Sequence, residues 1–509
     1  MLSRSFTCQT ASNASRRLLK NTFRIIQTGK YSTNNNSTNV NLSTPTIIKT
    51  LPNGIKLAID PTPSYFSAIG FYVTAGSRYE ETYGLTGCSH ILDKLSFKST
   101  ENYSTKQMAD SLNKLGGNYM CASSREAMLY QASVFNHDVE KMFGLLSETV
   151  LKPNLLNDEI NEQLISAEYE LNEIWLQSDL ILPELFQQVA YNNSNLGCPL
   201  LCPADKLRSI NRDELLRYRD IFYRPENLVI AFSGVGETQV NELIEKYIPE
   251  SSTVSSEKLI KEPALYTGGE FSLPVPEGLE YRGEEFHHIY VGFEGVDISS
   301  EDVYKLAVLQ MLIGGGGSFS AGGPGKGMYS RAYTRVLNQY GFVESCKSFI
   351  HNFTDSGLFG LSLACVPQAN RVMSELIGYE LNLLMSRDIG KGGISEHEVS
   401  RAKNQLKSSL MMNLESKMVQ LEDMGRQEQI YGKRIDVLEM CSKIDAITRN
   451  DLIQIAEKIF TGSEPTIVVQ GDREAFGDIK GMLNRYGLGN IGGNQTTGNE
   501  KKTKSRGWF

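Results

Sequence analysis

INRDELLRYRDIFYRPENLVIAFSG, residues 210 to 234, and ITRNDLIQIAEKIFTGSEPTIVVQG, residues 447 to 471, align without a gap at an offset of 237. In each stretch apolar residues recur at helical spacing and then give way to a short apolar run ending in glycine. Each therefore reads as a helix followed by a buried strand. Apolar positions match more often than identities do, as expected of two copies that keep a common core while their surfaces drift. A second correspondence sets LYQASVFNHDVEKMFGLLSETV (129 to 150) beside FGLSLACVPQANRVMSELIGYE (359 to 380), a strand leading into a long helix in both. The expectation is an α+β protein built from two copies of one unit.

The first copy is expected over residues 46–250. It opens with strand-like sequence from Ile47 to Ala58, turned at Pro52-Asn53-Gly54, and from Ser67 to Thr74. Helical periodicity dominates from there to about residue 223. Residues 251–265 are polar and aperiodic and serve as the linker, the second copy occupies 266–487, and the Gly/Asn-rich 488–509 reads as a disordered tail. The chain has 509 residues, 40% hydrophobic and 22% charged. That composition excludes a disulfide mini-protein, a collagen or a wholly disordered chain. No run reaches the ~18 consecutive apolar residues that would span a bilayer.

Charge is unevenly placed. The first acid in the chain is Asp60, whereas Arg4, Arg16, Arg17, Lys20, Arg24 and Lys30 all precede residue 33. An acid-free start rich in Arg and Ser is the composition of a mitochondrial transit peptide, expected here over residues 1–32, and it implies a matrix destination. Between residues 14 and 27, Leu19, Phe23 and Ile26 fall on one helical face and Arg17, Lys20 and Arg24 largely on another. Without those six basic residues, 45 Lys and Arg stand against 59 acids, −14 compared with −8 for the whole chain. Such a balance disfavours nucleic acid and anionic lipid as partners and suits basic ones. The eight cysteines contain no CxxC pair, so reduced, structural thiols are expected.

After Gly87 the chain reads CSHILDKLSFKST. An inverted zinc-peptidase motif, H-x-x-E-H, places two His ligands one turn apart on a helix with a Glu between them as general base. Here only His90 is kept. Asp93 is one methylene shorter than the Glu, and Lys94 stands at the second ligand position with a cation that repels zinc. Glu168 and Glu170 lie near the spacing of a third ligand, although two acids on a helix of mixed charge are more often a solvated face. No metal is expected in this chain.

GGGGSFSAGGPGKG, Gly314 to Gly327, has eight glycines in fourteen residues. It is not a phosphate loop: Gly325-Lys326 is followed by Gly327 where Ser or Thr is needed for magnesium, and helix-like sequence (Asp302 to Ile313) precedes it instead of a strand. Two readings remain, a flexible linker and a ligand-binding loop lying between helical Asp302 to Ile313 and helical Met328 to Asn338. In the second, bare backbone pairs with an extended peptide, with few side chains to help.

On GGGGSFSAGGPGKGMYSRAY (314 to 333), LTGCSHILDKLSFKST (85 to 100) and MMNLESKMVQLEDMGRQ (411 to 427), the chain resembles the alpha subunits of the mitochondrial processing peptidases, a pitrilysin-type family. The resemblance covers roughly residues 45 to 487. It implies two homologous domains, each a mostly antiparallel sheet flanked by helices, that together form half of a clam-shell heterodimer. It implies a non-catalytic subunit whose beta partner carries an intact H-x-x-E-H, the zinc and the active site. It further implies that Gly314, Gly315, Gly316, Gly317, Ser318, Phe319, Ser320, Gly322, Gly323, Gly325, Lys326 and Gly327 meet Arg-rich presequences. By motif position the resemblance makes Glu415, Glu422 and Asp423 candidate acids for presequence arginines, with a solvated helix face as the even alternative. A structural core subunit of the respiratory cytochrome bc1 complex is the alternative, and the intact glycine loop speaks against it.

Overall fold

The duplicated strand and helix pairs become the centres of two sheets. The computed structural model describes residues 46–249, 259–275, 286–317 and 328–489; the expected leader and Ser318 to Gly327 lie outside them. In the first half the chain runs β1 (Ile47–Thr50), β2 (Lys56–Asp60), β3 (Phe66–Val73), α1 (Ser77–Tyr83), α2 (Cys88–Lys94), β4 (Asn118–Ser123), β5 (Met128–Phe135), α3 (Val139–Leu151), α4 (Asn157–Ile174), α5 (Ser178–Ala190), α6 (Arg212–Phe222) and β6 (Leu228–Ser233). The second half runs β7 (Gly269–Leu273), β8 (His287–Glu294), α7 (Asp302–Ile313), β9 (Gly315–Gly317), β10 (Val343–Asn352), β11 (Gly357–Cys365), α8 (Asn370–Met385), α9 (Glu396–Leu414), α10 (Lys417–Tyr431), α11 (Arg449–Gly462) and β12 (Thr466–Gln470). Further helices lie between these elements.

The strand orders are β1-β2-β6-β3-β5-β4 and β7-β12-β8-β11-β10-β9. Five strands correspond one to one, and in each sheet a single parallel pair, β2 with β6 and β7 with β12, sits among antiparallel neighbours. The caps are duplicated as well. The Asn211 side chain accepts from the backbone N–H groups of Asp213 and Glu214 at the start of α6, and Thr448, 237 residues later, forms a capping box with Asp451 on α11. A polar cap at the same place in both copies ends the preceding loop and satisfies amides that lack a helical partner.

The central strands β6 (LVIAFS) and β12 (TIVVQ) are buried at every residue. A strand with one wet face would alternate; continuous apolar sequence means that both faces are covered. One face of the first sheet packs Ile59, Phe71, Tyr130, Ile230 and Phe232 against its own helices. Its other face, Ala58, Ala68, Tyr72, Val229 and Ala231, receives Leu421 and Met424 of α10, a helix from the second half. The reciprocal face, Tyr290, Leu358 and Val468, receives Ile181, Leu182, Leu185 and Phe186 of α5, a helix from the first half. Each half thus lends a helix to the other. Small residues make room for it: a Cβ on Gly425 would lie 2.3 Å from the Tyr72 ring, and one on Gly292 2.8 Å from the Phe186 ring.

Several expectations need correction. The stretch up to residue 223 holds, besides its helices and the strand expected at residue 129, which is β5, a further strand, β4, that was not expected; it is an edge strand whose NYMCAS sequence leaves Tyr119 and Met120 exposed, so no apolar alternation announces it. The glycine run is not loop from its first residue, since Gly315–Gly317 form β9. Met328 to Asn338 is helical only over Ala332–Leu337, as a π-helix. Leu488, at the start of the expected tail, is buried in the second core, and the Gly489 N–H donates to the Phe460 carbonyl.

Candidate functional site

Helix α2 is seven residues long and buries Cys88, Ser89, His90, Ile91 and Leu92. Gly87 precedes it in the left-handed region, φ 92°, and a side chain there would strike Cys202. Glu80 of α1 is fully buried and accepts the backbone N–H groups of Gly87 and Ser89, both at 2.6 Å. It thereby caps α2 with a carboxylate where the helix dipole favours one. Burial nonetheless pushes its pKa up to about 7, opposed by those hydrogen bonds.

One turn along, Lys94 Nζ lies 2.6 Å from Glu170 Oε2 of α4, and His90 Nε2 lies 3.1 Å from the same oxygen. The Cys202 N–H donates to His90 Nδ1 at 3.1 Å. With Nδ1 accepting, the ring proton sits on Nε2 and is given to Glu170, so the nitrogen that would bind a metal has no free lone pair. Asp93, at the position of the general base, turns away and accepts the Ser123 N–H of β4 at 2.8 Å. The hydrogen bond from His90 and then the Lys94 ammonium hold the Glu170 carboxyl down at about 2 against its partial burial.

These residues do not fit zinc. A fixed ammonium stands beside the one available carboxylate, and the one imidazole is in the wrong tautomer. Among the described residues no group of three or more His, Cys, Asp or Glu is placed to hold a metal. Glu170 was within reach of sequence reasoning as the carboxylate at the third-ligand spacing. Glu80 and the Cys202 amide were not, because a buried cap and a backbone donor leave no motif.

The start of the glycine run is tightly built. Gly314 ends α7 at φ 63°, and its carbonyl accepts both the amide and the hydroxyl of Ser348. Gly315, Gly316 and Gly317 then pair with Lys347, Cys346 and Ser345 of β10. A Cβ on Gly314 would lie 2.5 Å from the Ser330 side chain, on Gly315 2.3 Å from the Cys346 carbonyl, and on Gly316 2.1 Å from the Tyr333 hydroxyl. On the far side of the run, buried Arg331 holds Glu398 of α9 through two hydrogen bonds. The remaining expected contacts, Ser318, Phe319, Ser320, Gly322, Gly323, Gly325, Lys326 and Gly327, lie outside the described residues.

The three acids are not one cluster. Glu415 is exposed at the end of α9. On α10, Glu422 accepts from Arg426 at 2.7 Å and from Gln131 at 3.3 Å, while Asp423 accepts from Gln427 at 2.8 Å and has its pKa raised by burial.

Residues 56–204 match the family described as Insulinase (Peptidase family M16), and residues 209–406 match Peptidase M16 inactive domain. The chain belongs to the M16 family. Its M16 relatives include mitochondrial-processing peptidase subunit alpha of Neurospora crassa, 43% identical over 498 residues that cover 83% of this chain and 86% of that protein. The subunit of the same name from Homo sapiens is 34% identical over 446 residues, covering 84% and 82%. The first matched segment carries β2 to β5 of the first sheet, and the second begins at α6 and β6 of that sheet and runs through β7 to β11 into α9.

Proposed function

We propose that this chain is the non-catalytic alpha subunit of a mitochondrial processing peptidase. It binds Arg-rich presequences of imported proteins in the matrix while a zinc-containing beta subunit, joined to it in a clam-shell heterodimer, cuts them. The observation that carries this reading is Lys94: its ammonium, held by Glu170, takes the place where an M16 peptidase needs a metal ligand, and Asp93 is committed to a backbone amide. Kinship with processing-peptidase alpha subunits supports the partner, the compartment and the substrate class. The glycine run from Gly314 to Gly327 and the acids Glu415, Glu422 and Asp423 are the proposed substrate contacts. Gly315–Gly317 pair with β10 along one side, and as the edge strand of their sheet they keep the other side without a strand partner among the described residues, where an extended peptide can add.

The test is a deletion of residues 318–323, which spares β9. The shortened chain should melt like the parent and copurify with the beta subunit, yet bind or process presequence peptides poorly. Full processing by that variant would remove the loop from the substrate site and favour a structural role. Peptidase activity in the purified chain without its partner would overturn the non-catalytic assignment.

A further inference from the structure

Between Lys152 and Lys206 the chain has no Lys, Arg or His, but it has nine acids. Helix α4 lies in this stretch, and its fixed face is the inward one: Glu170 is tied to Lys94 and His90, and Ile160, Ala167 and Leu171 are buried. That locks the helix rotation and turns large apolar side chains outward. Ile165 is 57% exposed and Tyr169, one turn on, 69%; Leu176 follows at 57% and Leu180, in the first turn of α5, at 54%. An outward helix face normally carries polar residues, and a row of exposed apolar ones marks a surface that something covers. Glu162, three residues before Ile165, and Glu173, four after Tyr169, bracket the pair on the same face. Among the described residues, Glu168 and Glu173 have no ion-pair partner, and Glu162 has only Lys98 at 3.6 Å.

The stripe also approaches the glycine strand. Asp179, next to Leu180, lies 4.0 Å from Lys347 of β10, and Lys347 is the register partner of Gly315. The elbow between α4 and α5 is therefore beside the start of the glycine run.

The geometry points to Ile165, Tyr169, Leu176 and Leu180, flanked by Glu162, Glu168, Glu173 and Asp179, as a docking surface for a basic amphipathic helix, the form that the apolar and basic periodicity of an Arg-rich presequence favours. This rests on the presequence-binding reading above and adds a second, helical subsite to it. An apolar row takes the apolar face of such a helix and the flanking carboxylates, of which Glu168 and Glu173 have no ion-pair partner among the described residues, take its Arg and Lys, an arrangement that neither anionic lipid nor nucleic acid satisfies. The chain's own residues 14–27, with Leu19, Phe23 and Ile26 opposite Arg17, Lys20 and Arg24, have the required pattern.

The test uses the complete complex with its partner subunit and a fluorescent peptide of residues 1–30 of this chain, beside a peptide of the same composition with its order scrambled to destroy the amphipathic face. Ile165→Ser with Tyr169→Ser should weaken binding of the ordered peptide about tenfold, the loss of two apolar contacts, and leave the scrambled peptide unaffected. Glu162→Gln with Glu173→Gln, which removes no packing, should weaken binding too and flatten its salt dependence. Copurification with the partner should be unchanged in both. Unchanged affinity in both variants overturns the proposal while leaving the presequence reading intact. Loss of the partner subunit overturns it in favour of a subunit interface. Failure of the parent complex to bind the ordered peptide overturns both this subsite and the presequence reading.

Discussion

At Lys94 an ammonium occupies the place where, on the processing-peptidase reading, a metal ligand would stand. A metal at this place would be held by carboxylate and imidazole; an ammonium is held by the same carboxylate, and the imidazole becomes a donor to it. Glu170 is 44% exposed, so Glu170→Gln should cost only about 1 kcal/mol, read by chemical denaturation at pH 7. The pH dependence has a definite sign. A carboxyl lowered from 4.5 to about 2 contributes stability that is present above pH 4.5 and lost as pH falls toward 2, and the Gln variant should lack that acid-side loss. Glu80 has the opposite sign. Raised from 4.5 to about 7, it binds a proton in the folded state over that window, so its contribution declines as pH rises from 4.5 through 7. The difference in unfolding free energy between the parent and Glu80→Gln should therefore change with pH between 5 and 8, in the variant's favour at the alkaline end. A constant difference would show that Glu80 keeps an ordinary pKa.

Glycines at the element scale mark places where a strand or helix passes within contact distance of a ring. Gly316→Ala puts a methyl into the Tyr333 hydroxyl, and Gly425→Ala puts one into the Tyr72 ring, so each should destabilise by about 1–3 kcal/mol in thermal unfolding. Tyr333→Phe should recover much of the Gly316→Ala loss, because it removes the oxygen that the methyl meets; a double variant no better than the single would refute this packing account. The contrast explains what was legible in the sequence. Helix α7 appears at its expected limits, Asp302 to Ile313, since an apolar run bounded by an acid and a glycine carries its own punctuation. The two duplicated strand-helix pairs were legible because burial forces both copies to keep their apolar positions. β4 and β9 were not, since an exposed edge strand and a strand of three glycines have no side-chain pattern to read. Part of the candidate site was legible in the same sense: His90, Asp93 and Lys94 stand in a spaced motif with Glu170 near the spacing of a third ligand, whereas the backbone donors Ser123 and Cys202 become neighbours only on folding.

The whole molecule is held by exchange, and this decides how it unfolds. The first sheet leaves one face to Leu421 and Met424 from the second half, and the second sheet leaves one to Ile181, Leu182, Leu185 and Phe186 from the first. Burying one such side chain is worth about 1.5–3 kcal/mol, so each sheet would forfeit much of an ordinary domain's net stability without its borrowed helix. The ionic contacts agree. Arg78 of the first half, 3% exposed, reaches Asp355 of the second and shares its charge with Glu126, which in turn accepts the Thr354 amide. Asp355→Ala should therefore cost about 2 kcal/mol, more than an exposed pair would, because the guanidinium stays buried with one of its two carboxylate partners gone. A protease site inserted within residues 251–258 separates this kind of coupling from simple tethering. After cleavage the two pieces should still elute together, melt in one transition and part only in denaturant, and a fragment ending at residue 249 should not fold when expressed alone, having an uncovered sheet face. If the nicked halves separate as folded units, or the first fragment melts cooperatively by itself, the exchanged helices are ornaments on two independent domains and the cooperative account fails.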